Sequence, residues 1–270
     1  MNNTLNTIQR LTIRISRSSL SFSAVQLSPE GAQVIYEPYT MKSGISMAAN
    51  LREAFKTAQL PCRGYQRATI MVDEPVLMVP DDLFDPLSAE TLYYHSFPRT
   101  DEQRVVMANP LPDLNAVPVF SVNRDLRLVI TDHFRDVRFA PVSVPVWRHL
   151  YQRSFAGARA KLYAHFHDRR MEVFCFGQNR FKYCNSFGAD HPQDAVYYLL
   201  SVWNQLSLNI DTDEMYITGE TPHKEHLTAE LHKFIHRVYV INPTSDFNRA
   251  PVTQIEGMPY DLMTYYVRGK

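Results

Sequence analysis

The stretch Leu11-Thr-Ile-Arg-Ile-Ser-Arg-Ser-Ser-Leu-Ser-Phe-Ser-Ala-Val25 decides the fold. Apolar and polar residues alternate on both sides of the turn at residues 17–19, and a period of two is typical of half-buried strands. A third β-rich run, residues 32–36, follows a second polar turn at residues 28–31. Because both turns are short, we predict three antiparallel strands in a meander.

The periodicity then changes to that of a helix. Ser46 is placed to accept a hydrogen bond as the N-cap, and Pro61 ends the helix on its other side. The apolar run at residues 68–72 follows, and we predict a strand that is buried on both faces. The apolar residues at helical spacing are Met47, Leu51, Ala54, Phe55 and Ala58.

The same order recurs in the second half of the chain. Alternating runs at residues 162–167, 171–176 and 181–187 predict a second meander. An apolar stripe over residues 196–206 predicts a helix, and Asp190 with Gln193 has the spacing of a capping box at its start. Residues 215–218 predict the strand that follows.

A further helix and strand complete the second copy. Thr221-Pro222 has the pattern of an N-cap followed by proline, and residues 237–241 predict a last strand. Thr69-Ile-Met-Val-Asp-Glu-Pro75 lies opposite Tyr216-Ile-Thr-Gly-Glu-Thr-Pro222 at an offset of about 150 residues, which indicates a duplicated α/β unit. The predicted apolar face of the helix consists of Leu227, Leu231, Phe234 and Ile235.

A stretch dotted with prolines separates the two copies. We predict that residues 81–95 include a helix, that residues 124–134 and 146–155 form helices, and that residues 104–108 and 117–122 form strands. The helix at 146–155 crosses into the second copy, so we place the boundary near Arg159. The predicted halves are residues 1–158 and 159–270.

Composition excludes several classes of protein. Lys plus Arg equals Asp plus Glu at 28 each, so a nucleic-acid partner is not expected. Apolar runs stay below the roughly 20 residues that span a bilayer, so a membrane partner is not expected either. The sequence contains neither GxxxxGK[ST] nor GxGxxG, which argues against P-loop and Rossmann nucleotide enzymes. Three scattered cysteines favour a reducing cytoplasm.

The duplicated element order resembles the actin-like ATPase, or ribonuclease H-like, superfamily. That group includes actin, sugar kinases and the cytoplasmic scaffolds of pilus assembly and type II secretion. The phrases Leu11-Thr-Ile-Arg-Ile-Ser…Leu20-Ser-Phe and Val196-Tyr-Tyr-Leu-Leu-Ser-Val-Trp-Asn-Gln-Leu206 are also similar to those of a bacterial family, domain-of-unknown-function family 3822. The resemblance implies a duplicated actin-like α/β fold, with two mixed five-stranded sheets, flanking helices and a central cleft.

In this superfamily each half opens with Asp-x-Gly at its first hairpin, where the glycine lets backbone amides contact phosphate and the carboxylate holds Mg²⁺ or its waters. The first triplet falls here on Arg14-Ile15-Ser16 and the second on His165-Phe166-His167, while a late Gly-Gly becomes Gly219-Glu220. The resemblance therefore implies a cleft with altered chemistry. Its candidate residues, including the adjacent turns, are Arg14, Ser16, Arg17, Ser18, His165, His167, Asp168, Arg169, Gly219 and Glu220.

These replacements lead to two expectations. Arginine cannot hold Mg²⁺, so we expect negligible hydrolysis, no cofactor, and a non-catalytic module that binds another protein or itself through the cleft or a tyrosine-bearing surface. The alternative is an enzyme that binds a nucleotide or sugar phosphate, with ATP and Mg²⁺ possible. Its carboxylates would be Asp73, Asp168 and Glu220, and its phosphate clamps Arg14, Arg17, Arg169 and Arg170.

One histidine pattern resembles a metal site. His165 and His167 share one face of a predicted strand, and His191 is a possible third ligand. Two histidines at this spacing are common by chance, so we predict no metal site from this pattern.

Overall fold

The structure is a computed structural model that describes residues 9–28, 31–157, 159–177, 180–221 and 223–268. The first half begins with the predicted meander, formed by strands β1 (Arg10–Ile15), β2 (Leu20–Ser28) and β3 (Gly31–Tyr39). Helix α1 (Met47–Thr57) follows, and Ser46 Oγ accepts a hydrogen bond from the Ala49 amide at 3.2 Å, as its predicted N-cap role requires. Strand β4 (Arg67–Val72) is buried except at its first residue.

The middle of the chain adds a small antiparallel sheet and completes the first half. Its elements are β5 (Val76–Pro80), α2 (Ala89–Ser96), β6 (Arg104–Ala108), β7 (Ala116–Asn123), α3 (Arg124–His133), β8 (Asp136–Pro141) and α4 (Val144–Ser154). Strand β7 is the centre of the small sheet, between β5 and β6.

The stretch at residues 81–95, predicted to include a helix, contains one in its last part. Two short 3-10 turns precede it, and the α-helix begins only at Ala89. Pro86 disfavours the helical conformation for the residue before it, and Asp85 is extended, with its carboxylate accepting from the Leu87 amide.

The first five-stranded sheet has the order β3-β2-β1-β4-β8. Strand β1 pairs antiparallel with β2 and parallel with β4, and β4 pairs parallel with β8. Helices α1 and α3 cover one face through residues such as Leu51 and Ile130, which join Leu11, Ile13 and Ile70 in one core. The central strand β1 therefore ends at the middle of the sheet's edge.

The second half repeats this arrangement. Its elements are β9 (Lys161–His167), β10 (Arg170–Gly177), β11 (Arg180–Gly188), α5 (Pro192–Gln205), β12 (Glu214–Gly219), α6 (Lys224–His232), β13 (Val238–Val240), α7 (Pro243–Asp246) and α8 (Tyr260–Arg268). The sheet order is β11-β10-β9-β12-β13, so β9 has the place that β1 has in the first sheet. Among the described helices, none is long and apolar enough to cross a membrane.

Three details predicted for the second half were wrong. His191, not Asp190, is the N-cap of α5, because Pro192 is pre-organised for the first helical position. Helix α6 follows His223 rather than Thr221, and Pro222 lies outside the described residues. Phe234, predicted on the apolar face, lies beyond the end of α6 and is 54% exposed.

Candidate functional site

The ends of β1 and β9 face each other across the two halves, and each strand leads into a tight turn. In the first turn the Ser16 amide donates to the Ser19 carbonyl at 2.9 Å. In the second turn Asp168 and Arg169 have φ of 44° and 64°. Positive φ at both central residues is typical of the type I′ hairpin turn, which fits the twist of the flanking strands.

The carboxylate of Asp168 joins the two turns directly. Its Oδ1 accepts hydrogen bonds from Ser16 Oγ and Ser19 Oγ, each at 2.8 Å. Its Oδ2 lies 2.7 Å from Nη2 of Arg14 on β1. Burial alone would raise the pKa of Asp168, but the Arg14 charge and the two serine hydroxyls lower it below its usual value. Asp168 is therefore held as a carboxylate between the halves.

Arg14 is paired a second time, with Asp261 on α8. Its Nε lies 2.9 Å from Oδ1 and its Nη2 lies 2.9 Å from Oδ2, a bidentate arrangement. Arg14 is 2% exposed and Asp261 is fully buried. Burial would lower the pKa of Arg14, but Asp261 and Asp168 raise it above its usual value. The guanidinium thus connects β1 to an element at the other end of the chain.

A second set of charged groups lies beside the first. Asp73, which follows β4, lies 3.6 Å from Nδ1 of His167 through Oδ2 and 3.4 Å from Nη1 of Arg170 through Oδ1. Burial would lower the pKa of His167, and the neighbouring Asp73 raises it above its usual value. Asp73 is on the first half, while His167 and Arg170 are on the second.

His165 is buried within the same region. Its side chain is 0% exposed, and neither ring nitrogen has a hydrogen-bond partner among the described residues. Burial, followed by the charges of His167 and Arg14, lowers the pKa of His165 well below its usual value. His165 is therefore a neutral imidazole with an unused donor and an unused acceptor.

Glu172 on β10 is a further buried carboxyl group at this boundary. Its Oε2 accepts from the indole Nε1 of Trp147 on α4 at 3.0 Å. Burial raises the pKa of Glu172 to about 7. Its charge therefore changes near neutral pH, unlike that of an exposed glutamate.

A cavity of about 630 Å³ opens onto these groups. Six of the ten predicted site residues line it, namely Arg14, Ser18, His165, His167, Asp168 and Glu220. Its wall also includes residues that the sequence reasoning did not select, among them Tyr36, Lys42, Tyr260 and Asp261. The structure therefore brings most of the candidates to one place.

The other four candidates have different surroundings. Ser16 lies behind the wall and bonds Asp168, as described above, whereas Arg17 is exposed. Arg169 points to solvent, where it pairs with Asp190 at 2.7 Å. Gly219 has a φ of 85°, and a Cβ there would lie 2.0 Å from the Phe166 carbonyl oxygen. Gly219 is thus required for close packing against β9.

The structure forms a different set of possible metal ligands from the one considered in the sequence. Ligand atoms of Asp73, His167 and Asp168 all lie within 4.8 Å of one another. His191 is the exposed N-cap of α5 and is not in this set.

Asp261 was missed by the sequence analysis. A signal for it exists, because this acid lies within the otherwise mostly apolar run Tyr260–Val267. A buried helical face that contains one carboxylate indicates a charged partner elsewhere in the chain.

Comparison with solved structures identifies the fold. A Bacteroides thetaiotaomicron protein with an actin-like ATPase fold and unknown function superposes with a TM-score of 0.81 and 29% identity, covering 95% of this chain and 99% of that chain. A chain of the PilM–PilN type IV pilus biogenesis complex superposes with a TM-score of 0.59 and 11% identity, covering 97% and 96%. The predicted actin-like α/β fold is confirmed.

Sequence comparison gives the family. A search among curated proteins found no match. The model of the family described as protein of unknown function (DUF3822) matches residues 2–238, so the predicted resemblance is confirmed and the chain belongs to this family.

Proposed function

We propose that this chain is a non-catalytic actin-like protein, a pseudo-ATPase, that acts in the cytoplasm as a protein-binding or scaffolding module. The observation that carries the proposal is the direct bonding of the two turns through Asp168, Ser16 and Ser19. In the superfamily that the sequence resembles, these turns hold a nucleotide's phosphates between them. Here the two turns are hydrogen-bonded directly to each other.

The charge at Arg14 supports the same proposal. A guanidinium stands where the superfamily has a carboxylate that holds Mg²⁺. Two unit charges of the same sign about 4 Å apart repel by about 4 kcal/mol at an effective dielectric constant of 20, and the double charge of Mg²⁺ raises the repulsion to about 8 kcal/mol. This guanidinium is already paired with two carboxylates, those of Asp261 and Asp168. These residues do not fit a magnesium–nucleotide complex.

Burial of the ion pairs supports a fixed relation between the halves. Removal of one partner from a buried pair typically costs about 3–5 kcal/mol, because the other charge is left without compensation. Arg14 and Asp261 are both almost completely buried. Separation of the two turns would expose these charges to solvent or leave them buried without a counter-ion. The ion pairs therefore hold the halves together without a ligand.

Exposed apolar residues support the protein-binding role. Leu83 and Leu87 are 71% and 94% exposed on the turns before α2, and Tyr197 is 67% exposed on α5. Large apolar side chains close together on a surface are typical of interaction sites, and Leu83 and Leu87 are four residues apart in the chain. The similar fold in the PilM–PilN complex belongs to a protein that assembles with another chain.

Three free cysteines support the cytoplasmic location. Cys62 is exposed, Cys175 is buried and Cys184 is partly buried, and none forms a disulfide. Free thiols persist in reducing compartments.

Two measurements test the proposal. Purified protein titrated with ATP and Mg²⁺ should show neither saturable binding in calorimetry nor phosphate release. In-cell crosslinking should give a discrete product that Leu87→Asp removes. Leu128→Asp is the control, because Leu128 is an exposed leucine on α3, at 44%. Mg²⁺-dependent turnover that a cleft substitution abolishes would contradict the proposal.

A second candidate function is favoured by the cavity itself. Its volume of about 630 Å³ falls within the range of about 300–1,000 Å³ that is common for small-molecule sites. Lys42 and Arg14 on its wall would suit an anionic ligand such as a nucleotide or sugar phosphate. A ligand at a hundred times its Kd should stabilise the fold by about 2.7 kcal/mol in a thermal-shift screen, and no shift with any member of these classes counts against this candidate.

A further inference from the structure

Three potential metal ligands from both halves converge beside the cavity. Asp73 follows β4 of the first sheet, His167 ends β9 of the second, and Asp168 begins the turn after it. Their ligand atoms lie within 4.8 Å of one another. One imidazole nitrogen and two carboxylates form a donor set that suits Zn²⁺ and neighbouring transition metals better than Ca²⁺ or Mg²⁺.

The distance between Asp73 and His167 is informative. Nδ1 of His167 and Oδ2 of Asp73 are 3.6 Å apart, which is longer than a hydrogen bond. Two ligands of a tetrahedral ion with bonds of about 2.1 Å are about 3.4 Å apart, close to this separation. Both atoms are buried and have no hydrogen-bond partner in the described part of the chain. The pair is therefore spaced for an ion between its atoms.

The charges around this point favour a cation. Three carboxylates, those of Asp73, Asp168 and Asp261, meet two arginines, Arg14 and Arg170, among the described residues of this cluster. Glu172 is not counted, because burial raises its pKa to about 7. Arg14 is paired with Asp168 and Asp261, and Arg170 contacts only Asp73 among the three. One negative charge therefore remains, which a bound cation would offset.

The proposed ligands are held in place by backbone and side-chain contacts. The Asp73 amide donates to the Ile15 carbonyl at 2.9 Å, and His167 pairs with Arg170 in the β9–β10 ladder. Asp168 is fixed by the two serine hydroxyls. Ligands that the protein already holds in place form a pre-organised metal site.

His165 is a neighbour of this set on the same strand, although its nitrogens are not among the atoms that lie within 4.8 Å of one another. Its ring centroid lies 4.7 Å from that of His167, and both of its nitrogens lack a partner among the described residues. Its two-residue spacing places it on the same face of β9 as His167.

We propose that Asp73, His167 and Asp168 bind one divalent first-row transition-metal ion of the Zn²⁺ type, and that this ion joins the two halves. The inference goes beyond the proposed function, since it holds whether or not the chain binds a protein. Its failure is distinguishable, because metal content and partner crosslinking are separate measurements.

The test uses the full chain, treated with a chelator and then titrated with Zn²⁺ in a calorimeter, with metal content measured after gel filtration. Asp73→Asn and His167→Gln remove ligands. His149→Gln is the matched control, because His149 is as buried as His167, at 6%, and also faces an aspartate, Asp246, at 2.7 Å.

Wild type and His149→Gln are expected to retain one equivalent of Zn²⁺. Asp73→Asn and His167→Gln should bind at least about 10-fold more weakly, as loss of a group that supports a metal commonly does. Wild type that takes up no equivalent of Zn²⁺, or variants that bind as wild type does, would overturn the proposal and leave an ordinary ion pair between His167 and Asp73.

A measurement on wild type alone covers the case in which a variant does not fold. X-ray absorption of the Zn²⁺-loaded protein should show nitrogen and oxygen ligands with an imidazole signature. A sulfur ligand would place the ion at a cysteine and overturn the proposal.

Discussion

Arg14 and Asp261 form a bidentate, buried ion pair across 247 residues of sequence, with both contacts at 2.9 Å. The pair joins the central strand of the first sheet to the last helix of the chain. Asp168 binds the same guanidinium from the second half. One side chain thus connects three distant segments of the chain.

Arg14→Met should lower the free energy of unfolding by about 3–5 kcal/mol, because Asp168 and Asp261 would both lose their buried counter-ion. Urea unfolding measures the loss. Arg148→Met is the control, since Arg148 makes an exposed bidentate pair with Asp113, and exposed pairs contribute about 0–1 kcal/mol. Equal effects of the two substitutions would show that Arg14 is not buried against its partners.

Gly219→Ala should be far more destabilising than Gly64→Ala. The two glycines have nearly equal φ, 85° and 81°, so alanine incurs a similar left-handed penalty of about 1–2 kcal/mol at each. Only at Gly219 does the new Cβ meet backbone, 2.0 Å from the Phe166 carbonyl oxygen. The difference in unfolding free energy should reach about 3 kcal/mol. Similar unfolding free energies for both variants would contradict the close contact between β12 and β9.

Much of the fold could be predicted because its causes are local. Alternation at residues 11–25 and helical spacing from Met47 are visible in short windows, and Ser46 caps its helix through an amide three residues away. The repeat of element order then fixed the duplicated architecture. One error arose where Pro192 moved a helix start by one residue, from Asp190 to His191.

The site was predictable only in part. Arg14, His165 and Asp168 were found because the resemblance assigns them to the two hairpins, and their contact follows from the position of β1 and β9 in equivalent sheets. The bond between Arg14 and Asp261 could not be found, because no local periodicity encodes a contact between residues 247 positions apart. Arg17 and Arg169 point to solvent because turn geometry, not composition, sets side-chain direction.

The chain should lose stability in acid through Asp246. Burial would raise the pKa of this carboxyl, but His149, Tyr260 and Arg153 lower it below its usual value. A lowered folded-state pKa stabilises the protein above the unfolded value of about 3.9, and this contribution is lost as pH falls below it. Asp246→Asn should therefore have a flatter stability profile between about pH 4 and pH 2. An unchanged acid profile would contradict the network.

Cysteine labelling should be selective in the native protein. Cys62 is exposed, whereas burial raises the pKa of Cys175 to about 11 and that of Cys184 well above its usual value. Because the thiolate is the reactive form, iodoacetamide at pH 8 should modify Cys62 first and the other two only after unfolding. Peptide mass spectrometry reads each site. Rapid labelling of Cys184 without unfolding would mean that its thiol is accessible in the native protein, which would contradict the described packing of the β10–β11 hairpin.

Glu172 should make the fold less stable as pH rises towards neutrality. Burial raises its pKa to about 7, whereas in the unfolded chain it ionises near 4.3. Between these two values the folded state holds a proton that the unfolded state has released, so stability falls with increasing pH and becomes constant above about pH 7. The total loss is at most about 4 kcal/mol, since each pKa unit corresponds to about 1.4 kcal/mol.

Glu172→Gln tests this assignment, because a glutamine oxygen can still accept the Trp147 indole hydrogen bond while carrying no charge. Urea unfolding from pH 5 to pH 8, in EDTA so that no metal ion contributes, should show a larger decline in wild type than in the variant, in which the raised pKa of His167 still contributes above about pH 6.5. Glu53→Gln is the control, because Glu53 pairs with Lys42 on the surface and has a lowered pKa. A wild-type profile that rises over this range would contradict the assignment. It would mean that Glu172 is ionised in the folded protein and that the charges of His167 and Arg170 compensate it.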